Sequence, residues 1–236
     1  MNRELDWDGL PNARCLGGLP VIALDGTTTV RGRVHRSASL SHLSDAGWAA
    51  LGAAGVRTVV DLRNRGEGPS YVAPGGIVVH HAPIEDQTDR SFMAQYAMHL
   101  STPRYYPEVL ARWPHLVIRA FRCIAAAQPG GVVVHCVDGQ DRTGQVVAML
   151  LALVGVPVDA IADDYERAMR ANNAFGLVSP LAEHPGVDDA TMGVMVGEAR
   201  AMLTFWLSKL DVAGYLRSAG MTPAEITRLR SRMLLP

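Results

Sequence analysis

The sequence is poor in several residue types that characterise particular classes of protein. It contains one lysine, Lys209, and three cysteines, and aromatic residues make up 6% of the chain. The formal net charge of −1 gives no electrostatic case for a nucleic-acid partner. An odd number of cysteines, without an apolar leader, argues against a disulfide scaffold. We therefore expect reduced thiols and a cytoplasmic location, and secretion without a leader stays open.

Long apolar runs and cofactor motifs are also missing. The longest apolar stretch, residues 146–156, is too short to span a bilayer, so we expect no stable membrane association. The chain has neither a Gly-rich dinucleotide fingerprint nor a Walker motif. His80 and His81 are adjacent, and alternation along a strand would point them to opposite faces. The sequence predicts no metal and no other cofactor.

The remaining pattern is an alternation of buried strands and helices. The β-branched runs at 56–62 and 132–134 are typical of buried parallel strands, and 77–80 predicts another. A short hairpin is predicted over 19–36, with strands at 21–24 and 30–35. Further patterns predict helices from Ser44 to Gly55, over most of 91–127, over 144–153 and over the remainder, with a loop around 173–190.

This alternation predicts an α/β fold with a mostly parallel central sheet and helices on both faces. We expect one domain spanning residues 1–236. A C-terminal helical elaboration at about 159–210 is the expected place for a lid or a substrate-binding insertion. In such sheets, ligands bind at the carboxyl ends of the strands.

The carboxyl end of the 132–134 strand carries the most specific motif. Residues 135–144 read His-Cys-Val-Asp-Gly-Gln-Asp-Arg-Thr-Gly, and a helix follows. A short loop entering a helix can direct successive backbone N–H groups at a tetrahedral anion. Gly139 permits the tight turn, and Arg142 can bind two phosphate oxygens. The predicted phosphate-binding residues are Val137, Asp138, Gly139, Gln140, Arg142 and Thr143.

The same helix end stabilises the thiolate of Cys136, which is the nucleophilic form of the side chain. Covalent catalysis would then split phosphate transfer into attack by sulfur and hydrolysis of the thiophosphate. The plain alternative is a structural cysteine at a strand–helix turn. His135 either orients the loop and supports the thiolate or is a core histidine.

These residues resemble the signature His-Cys-x5-Arg-Thr/Ser-Gly of the cysteine phosphatase superfamily. The chain is more closely similar to the atypical bacterial cysteine-dependent tyrosine phosphatases, whose loop reads His-Cys-x-x-Gly-Lys-Asp-Arg-Thr-Gly. Segments at 12–18, 36–37, 61–63 and 215–225 resemble that family in the same order. The resemblance implies a cysteine phosphatase-like fold and hydrolysis of phosphoesters through a phosphocysteine, by a protein tyrosine or dual-specificity phosphatase.

Two positions depart from that family. Gln140 stands where the family has Lys, and Cys15 stands where it has Asp. Losing the Lys removes a positive charge, so we expect weaker binding of highly anionic ligands and a less stabilised thiolate. The loop also resembles that of myotubularin lipid phosphatases, Cys-Ser-Asp-Gly-Trp-Asp-Arg-Thr, which share Asp138 and Asp141. A phosphoinositide or a small phosphoester therefore stays open as the substrate.

A general acid is expected near the leaving oxygen of the ester. The resemblance to both families implies Asp141, whose alternative role is to accept hydrogen bonds inside the loop. Asp61 ends a neighbouring strand and could face the same crevice or only fix Arg63, and Asp86 is a third candidate. Residues 113–115, Trp-Pro-His, lack the carboxylate of the Trp-Pro-Asp loop of classical tyrosine phosphatases and predict a helix break.

The sequence leaves two other functional classes open. A non-catalytic module that binds phosphorylated ligands would need Arg142 but not the thiolate of Cys136. Rhodanese-like sulfurtransferases also carry a cysteine after a strand, but they are not expected to keep the Asp-Arg-Thr-Gly helix entry. The sequence makes no prediction of the oligomeric state.

Overall fold

The computed structural model describes residues 2–22, 26–180, 182 and 184–235. Within these residues the chain forms a five-stranded sheet in the order β1-β2-β5-β3-β4. β1 is antiparallel to β2, and the other neighbouring strands are parallel. The strands are β1 (Arg14–Cys15), β2 (Val34–Ser37), β3 (Val56–Asp61), β4 (Val78–His81) and β5 (Gly131–His135). The predicted mostly parallel sheet is confirmed.

The central strand β5 is buried along its whole length, and its three valines face cores on both sides of the sheet. Val132 and Val134 pack into the larger core, together with helices on that side. Val133, between them, faces a second core that includes Trp7 and Leu51. This alternation follows from the two-residue period of a strand. The sheet is therefore a middle layer, and its carboxyl edge remains available for a site.

The helices of the described chain surround this sheet and extend it at the C-terminal side. Their bounds are α1 (Asp45–Ala53), α2 (Arg90–Tyr96), α3 (Tyr106–Arg112), α4 (Pro114–Ala125), α5 (Asp141–Leu153), α6 (Val158–Val178), α7 (Asp189–Lys209), α8 (Val212–Ser218) and α9 (Pro223–Leu234). Short 3₁₀ turns lie at Leu40–His42, Ala97–His99 and Pro103–Tyr105. None of the helices in the described ranges is long and apolar enough to cross a membrane.

Several boundaries follow the predicted local signals. Ser44 caps α1 by accepting a hydrogen bond from the N–H of Gly47 at 3.1 Å. Trp113 separates α3 from α4, and Pro114 begins α4, so the predicted helix break is confirmed. Pro107 does not interrupt a helix, because it lies in the first turn of α3, where a missing N–H costs nothing.

Other predicted boundaries were wrong. The loop predicted around 173–190 is shorter, because α6 continues to Val178 and α7 begins at Asp189. In the predicted hairpin, Pro20 and Thr28 form an isolated antiparallel β-bridge. The second arm of the hairpin therefore pairs at Thr28, closer to the turn than the predicted 30–35. The strand expected at 30–35 is instead β2, which pairs with β1 and β5. Leu24, the expected end of the first hairpin strand, lies outside the described residues.

Candidate active site

The most specific sequence motif lies at the carboxyl edge of the sheet. Cys136 directly follows β5, and Arg142 lies in the first turn of α5. Residues 136–140 connect the two elements, and we call them the Cys136 loop. Cys136 is 2% exposed and Arg142 is 8% exposed. The thiol and the guanidinium are thus held by one strand–loop–helix unit and are nearly shielded from solvent.

Gly139 determines how tightly the Cys136 loop can turn. Its φ of +64° lies in the left-handed region that favours glycine. A Cβ at this position would also overlap the backbone of Ser37 at the end of β2. The loop therefore needs glycine both for its backbone conformation and for its close approach to the neighbouring strand.

The carbonyl groups of the loop are hydrogen-bonded from outside it. The Val137 carbonyl accepts from the N–H of Ser39 at 2.7 Å. The Asp138 carbonyl accepts from the side-chain amides of Asn12 and Asn172, each at 3.0 Å. Arg36 donates to the Gly139 carbonyl at 2.6 Å. In a trans peptide the C=O and the N–H point in opposite directions. Because these carbonyls point out of the loop, the N–H groups of the same peptides point into it.

The backbone N–H groups of the loop have no such partners. Among the described residues, those of Val137, Asp138, Gly139 and Gln140 donate no hydrogen bond. A row of unpaired amide donors at the start of a helix is the arrangement that binds phosphate or sulfate in proteins. The loop can therefore bind an oxyanion next to the sulfur of Cys136.

Two carboxylates contact Arg142. One Nη donates closely to Glu67, which lies in the loop after β3. Its Nε lies 3.6 Å from Glu85, which follows β4 and is almost fully buried. Burial alone would lower the pKa of Arg142, but the charges of Cys136, Glu85 and Glu67 raise it above its ordinary value. The guanidinium stays charged.

Asp141, the first residue of α5, is held by two tyrosines. Tyr165 donates to its carboxylate at 2.7 Å, and Tyr106 donates to its backbone carbonyl at 2.7 Å. Burial, together with the neighbouring Asp138 carboxylate, raises the pKa of Asp141 to about 7. A carboxyl group with this pKa can both donate and accept a proton near neutral pH.

In the described chain, neither ring nitrogen of His135 is hydrogen-bonded to the sulfur of Cys136. Burial lowers the pKa of His135 to about 4, so its ring is neutral. Its Nδ1 then donates to the Cys136 carbonyl at 2.9 Å, and its Nε2 accepts from Tyr71 at 2.7 Å. The side chain thus orients the backbone at the start of the loop.

Asp61 and Arg63 form a buried ion pair at the end of β3. Arg63 donates to both oxygens of Asp61, with a shortest distance of 2.8 Å. Burial would raise the pKa of Asp61, but the hydrogen bonds from Arg63 lower it below its ordinary value. Arg63 also binds the carbonyls of Glu67 and Pro69 at 3.2 and 3.0 Å. The pair therefore organises the loop that brings Glu67 to Arg142.

The last residues of the motif divide between the surface of the loop and the core. The side chain of Gln140 lies across the loop, where its oxygen accepts from Asn172 at 3.2 Å and its amide donates to the Ser101 carbonyl at 3.4 Å. Thr143 is fully buried, and its hydroxyl has no partner among the described residues. Asp86 lies apart from the motif and accepts from Thr88 in its own turn.

A cavity of about 340 Å³ opens beside the Cys136 loop. Val137, Asp138, Gln140 and Asp141 form one wall. Another part of the lining comes from α6, α7 and described residues between them. The cavity-lining residues from these elements are Met169, Asn172, Asn173, Phe175, Ala182, His184, Pro185, Val187, Met192 and Met195. A substrate group attached to a bound phosphate would have an apolar place to lie.

Several residues of the site were not predicted from the sequence. Glu67 and Glu85 contact Arg142, and Asn12 and Asn172 bind the loop carbonyls. Asn12 belongs to a segment that does resemble the family, which was a usable signal. Glu85 begins the polar loop that follows the predicted strand at 77–80, and that position was a second usable signal. Nothing in the local sequence distinguishes Asn172 from other polar residues on a helix.

Comparisons with known proteins identify the family of the chain. The family model described as the tyrosine phosphatase family matches residues 5–235. The triple specificity protein phosphatase PtpB of Mycobacterium tuberculosis is 30% identical over 265 aligned residues, covering 89% of this chain and 94% of that protein. A tyrosine-protein phosphatase of Nostoc commune is 31% identical over 219 residues, covering 84% and 73% of the two chains.

A thiol and a guanidinium around an unpaired row of amides define a cysteine-dependent phosphatase, an enzyme that hydrolyses phosphoesters. The chain belongs to the tyrosine phosphatase family. The predicted family and enzyme class are therefore confirmed, and the sulfurtransferase and non-catalytic alternatives are set aside.

Proposed function

We propose that the Cys136 loop binds the phosphate of a phosphotyrosine side chain and that Cys136 is the nucleophile. Its sulfur attacks phosphorus, the bond from phosphorus to the tyrosine oxygen breaks, and the phosphoryl group passes to sulfur. Water then attacks the thiophosphate and releases inorganic phosphate, which restores the thiolate. The observation that carries this proposal is that one strand–loop–helix unit brings together a thiol, Arg142 and four amide donors that have no acceptor in the described part of the chain.

In this proposal the anion is held by donors that are already in place. The amides of residues 137–140 and the guanidinium of Arg142 face charge that develops on the phosphoryl oxygens in both transition states. Arg142 must first exchange its contact with Glu67 for the phosphate. The hydroxyl of Thr143, which is buried without a partner, is a further donor for this site.

We assign the general acid to Asp141. Its pKa of about 7, raised by burial, leaves a proton available near neutral pH, and the residue lines the cavity. It would protonate the leaving tyrosine oxygen and then accept a proton from the attacking water. Asp61 suits this role poorly, because its ion pair with Arg63 keeps it ionised. Asp86 is occupied in its own turn and does not line the cavity.

The lining of the cavity supports an aromatic phosphoester over a phosphoinositide. Met169, Phe175 and Met192 offer an apolar wall to a phenyl ring. Within the described lining, the one arginine, Arg63, is already paired with Asp61, and no lysine occurs. The additional phosphates of a phosphoinositide would therefore meet no free arginine or lysine there. Gln140, where the family has Lys, adds to this shortage.

We also assign a substrate-binding role to the helical elaboration, within a single domain. α6 and α7 pack against each other, and described residues between them, including Ala182 and His184, line the cavity. Nε2 of His184 lies 4.0 Å from the carboxylate of Asp138 in the Cys136 loop. The elaboration would form one wall of the substrate site. A substrate protein in the cytoplasm fits a nucleophile that must remain a reduced thiol.

Hydrolysis of p-nitrophenyl phosphate without added metal, with Cys136→Ser as the decisive variant, tests the nucleophile. Cys15→Ser and Cys123→Ser are matched controls, because both residues are also free cysteines. We expect Cys136→Ser to lose activity and the controls to keep it. An active Cys136→Ser enzyme would refute the assignment.

The substrate class needs a separate comparison. Values of kcat/KM for phosphotyrosine peptides, phosphoserine/phosphothreonine peptides and phosphoinositides should rank phosphotyrosine first. A higher kcat/KM for a phosphoinositide would replace the proposed substrate and leave the role of Cys136 intact.

A further inference from the structure

A buried cluster of three arginines around one carboxylate lies behind the Cys136 loop. Asp164, on α6, accepts from Arg3 at 2.7 Å and from Arg36 at 2.6 Å on its two oxygens. Arg14 donates to its backbone carbonyl at 2.8 Å and lies 3.5 Å from its carboxylate. Arg14, Arg36 and Asp164 are each no more than 2% exposed. The cluster joins the N-terminal segment, β1, β2 and α6.

The charges of this cluster do not balance. Within the described chain, the three guanidinium groups have no carboxylate partner other than Asp164. Burial, with the neighbouring Arg36 and Arg3, lowers the pKa of Arg14 to about 10, so it remains charged at neutral pH. Burial would raise the pKa of Asp164, but the arginines lower it well below its ordinary value. A positive surplus is therefore buried in the core.

A buried surplus of this kind is costly if it serves stability alone. Apolar side chains of similar volume often stabilise a core at least as well as a buried ion pair. Unpaired buried charge costs more, and the Nε of Arg36 also has no hydrogen-bond partner among the described residues. The surplus is explained if an anion binds nearby, because that anion would supply the missing negative charge.

The cluster reaches the Cys136 loop through two side chains. Arg36 donates one Nη to Asp164 and the other to the Gly139 carbonyl at 2.6 Å. Asn12 donates its amide to the carbonyls of Asp138 and Gly139 at 3.0 and 3.3 Å. Arg14 donates to the amide oxygen of Asn12, which leaves the Asn12 NH₂ group facing the loop. Asn12 itself has a φ of +62°, a conformation that Asn tolerates better than most residues.

We propose that Asn12 and Arg36 are positioning residues of the phosphate site, held in place by the Arg14–Asp164 cluster. They fix the loop carbonyls outward, so that the amides of the same peptides stay directed at the anion, and their cluster adds positive charge behind it. The inference rests on the proposed function of the loop. It concerns how the oxyanion is bound and assigns no chemical step to either residue.

Asn12→Asp tests the inference with little change in shape. The variant keeps a side chain that tolerates positive φ, removes both N–H donors and offsets one positive charge. Asn2→Asp is the matched control, because Asn2 is exposed and belongs to the same segment but has no contact with the loop among the described residues. The measurements are the Kd of vanadate by calorimetry, the pH profile of Cys136 alkylation and the melting temperature.

We expect Asn12→Asp to weaken vanadate binding by about tenfold or more, because the carbonyls of Asp138 and Gly139 lose this donor and the amides of the same peptides are held less firmly towards the anion. Its alkylation profile should move to higher pH, since less positive charge then supports the thiolate. The melting temperature should change little, and Asn2→Asp should match the wild type. A folded Asn12→Asp protein with wild-type vanadate affinity and alkylation profile would overturn the proposal.

Arg36→Lys decides the same question if Asn12→Asp does not fold. Lysine keeps the charge but cannot donate to Asp164 and Gly139 in the forked geometry of a guanidinium. We expect weaker vanadate binding with a raised KM for p-nitrophenyl phosphate, and unchanged values would refute the inference. Wild-type protein that neither binds vanadate nor hydrolyses the ester would instead refute the proposed function itself.

Discussion

The hydroxyl of Tyr165 lies 2.7 Å from Oδ1 of Asp141, and it joins α6 to the first residue of α5. A hydrogen bond donated to a carboxylate favours its ionised form, whereas burial favours the neutral form. Burial is the larger effect here, and the pKa of Asp141 is about 7. Tyr165 therefore limits how far burial raises that pKa and also fixes the direction of the carboxyl group.

Replacing Tyr165 by Phe should move the pH dependence of activity. Without the donated hydrogen bond the pKa of Asp141 rises, so the enzyme keeps its acid form to higher pH. The basic limb of kcat for phenyl phosphate should therefore shift upward, while kcat itself falls several-fold because the acid is less well oriented. Tyr215→Phe, which removes a hydroxyl bound to the Leu110 carbonyl, is the control. An unmoved basic limb would contradict this role for Tyr165.

Asp141→Asn should affect poor leaving groups most. A phenolate of high pKa needs a proton in the transition state, whereas p-nitrophenolate leaves readily without one. We expect kcat for phenyl phosphate to fall by about 10²-fold or more and that for p-nitrophenyl phosphate to fall much less. Asp86→Asn serves as the control, because Asp86 lies in a separate turn. Equal losses for both esters would remove Asp141 as the general acid.

The fold was largely predictable because its signals are local. The run 132–134 is apolar on both strand faces, the run 56–62 is rich in valine, and Ser44 and Pro114 mark helix starts by their own chemistry. The length of α6 was not predictable, since residues near 173 are polar and are held by tertiary contacts. Asn173, for example, binds both the N–H and the carbonyl of Val187, at 2.8 and 3.0 Å.

The part of the site that lies in one short segment was predictable from the sequence. The contacts between residues far apart in the sequence were not. Cys136, Gly139 and Arg142 lie within seven residues, so their spacing alone suggested an anion site. Glu67 and Arg142 are in contact although they are 75 residues apart in the sequence, and Asp164 and Arg36 are 128 residues apart. Such contacts depend on the order of strands in the sheet, which no local pattern encodes.

Glu67→Gln should strengthen binding of the substrate phosphate. In the free enzyme Glu67 competes for the guanidinium of Arg142, and a neutral amide competes less well. We expect a severalfold lower KM for p-nitrophenyl phosphate and tighter inhibition by inorganic phosphate. Glu108→Gln, which breaks an ion pair with Arg112 on the surface of α3, controls for loss of a carboxylate. A raised KM would mean that Glu67 supports the bound state.

Gln140→Lys should make Cys136 more reactive and should raise the affinity of the site for anions. The added charge lies at the start of α5, beside the loop, where it stabilises both the thiolate and a bound phosphate. The rate of Cys136 alkylation at neutral pH and the affinity for inorganic phosphate should both rise. Gln128→Lys adds the same charge on the far side of the chain, where Gln128 binds the Arg57 carbonyl at 2.9 Å. Identical alkylation rates for wild type and Gln140→Lys would contradict an effect of this charge on Cys136.

Gly139→Ala should damage both stability and activity, because two effects act at this position. A left-handed φ costs an alanine about 1 kcal/mol, and overlap with the backbone of Ser37 adds about 1–3 kcal/mol. Gly55→Ala separates the two effects, since Gly55 has a φ of +79° with open space around its missing Cβ. Chemical denaturation should give a clearly larger loss of unfolding free energy for Gly139→Ala than for Gly55→Ala. Vanadate affinity should fall only in Gly139→Ala. Equal losses of stability in Gly139→Ala and Gly55→Ala would show that the close approach of residue 139 to β2 is unimportant.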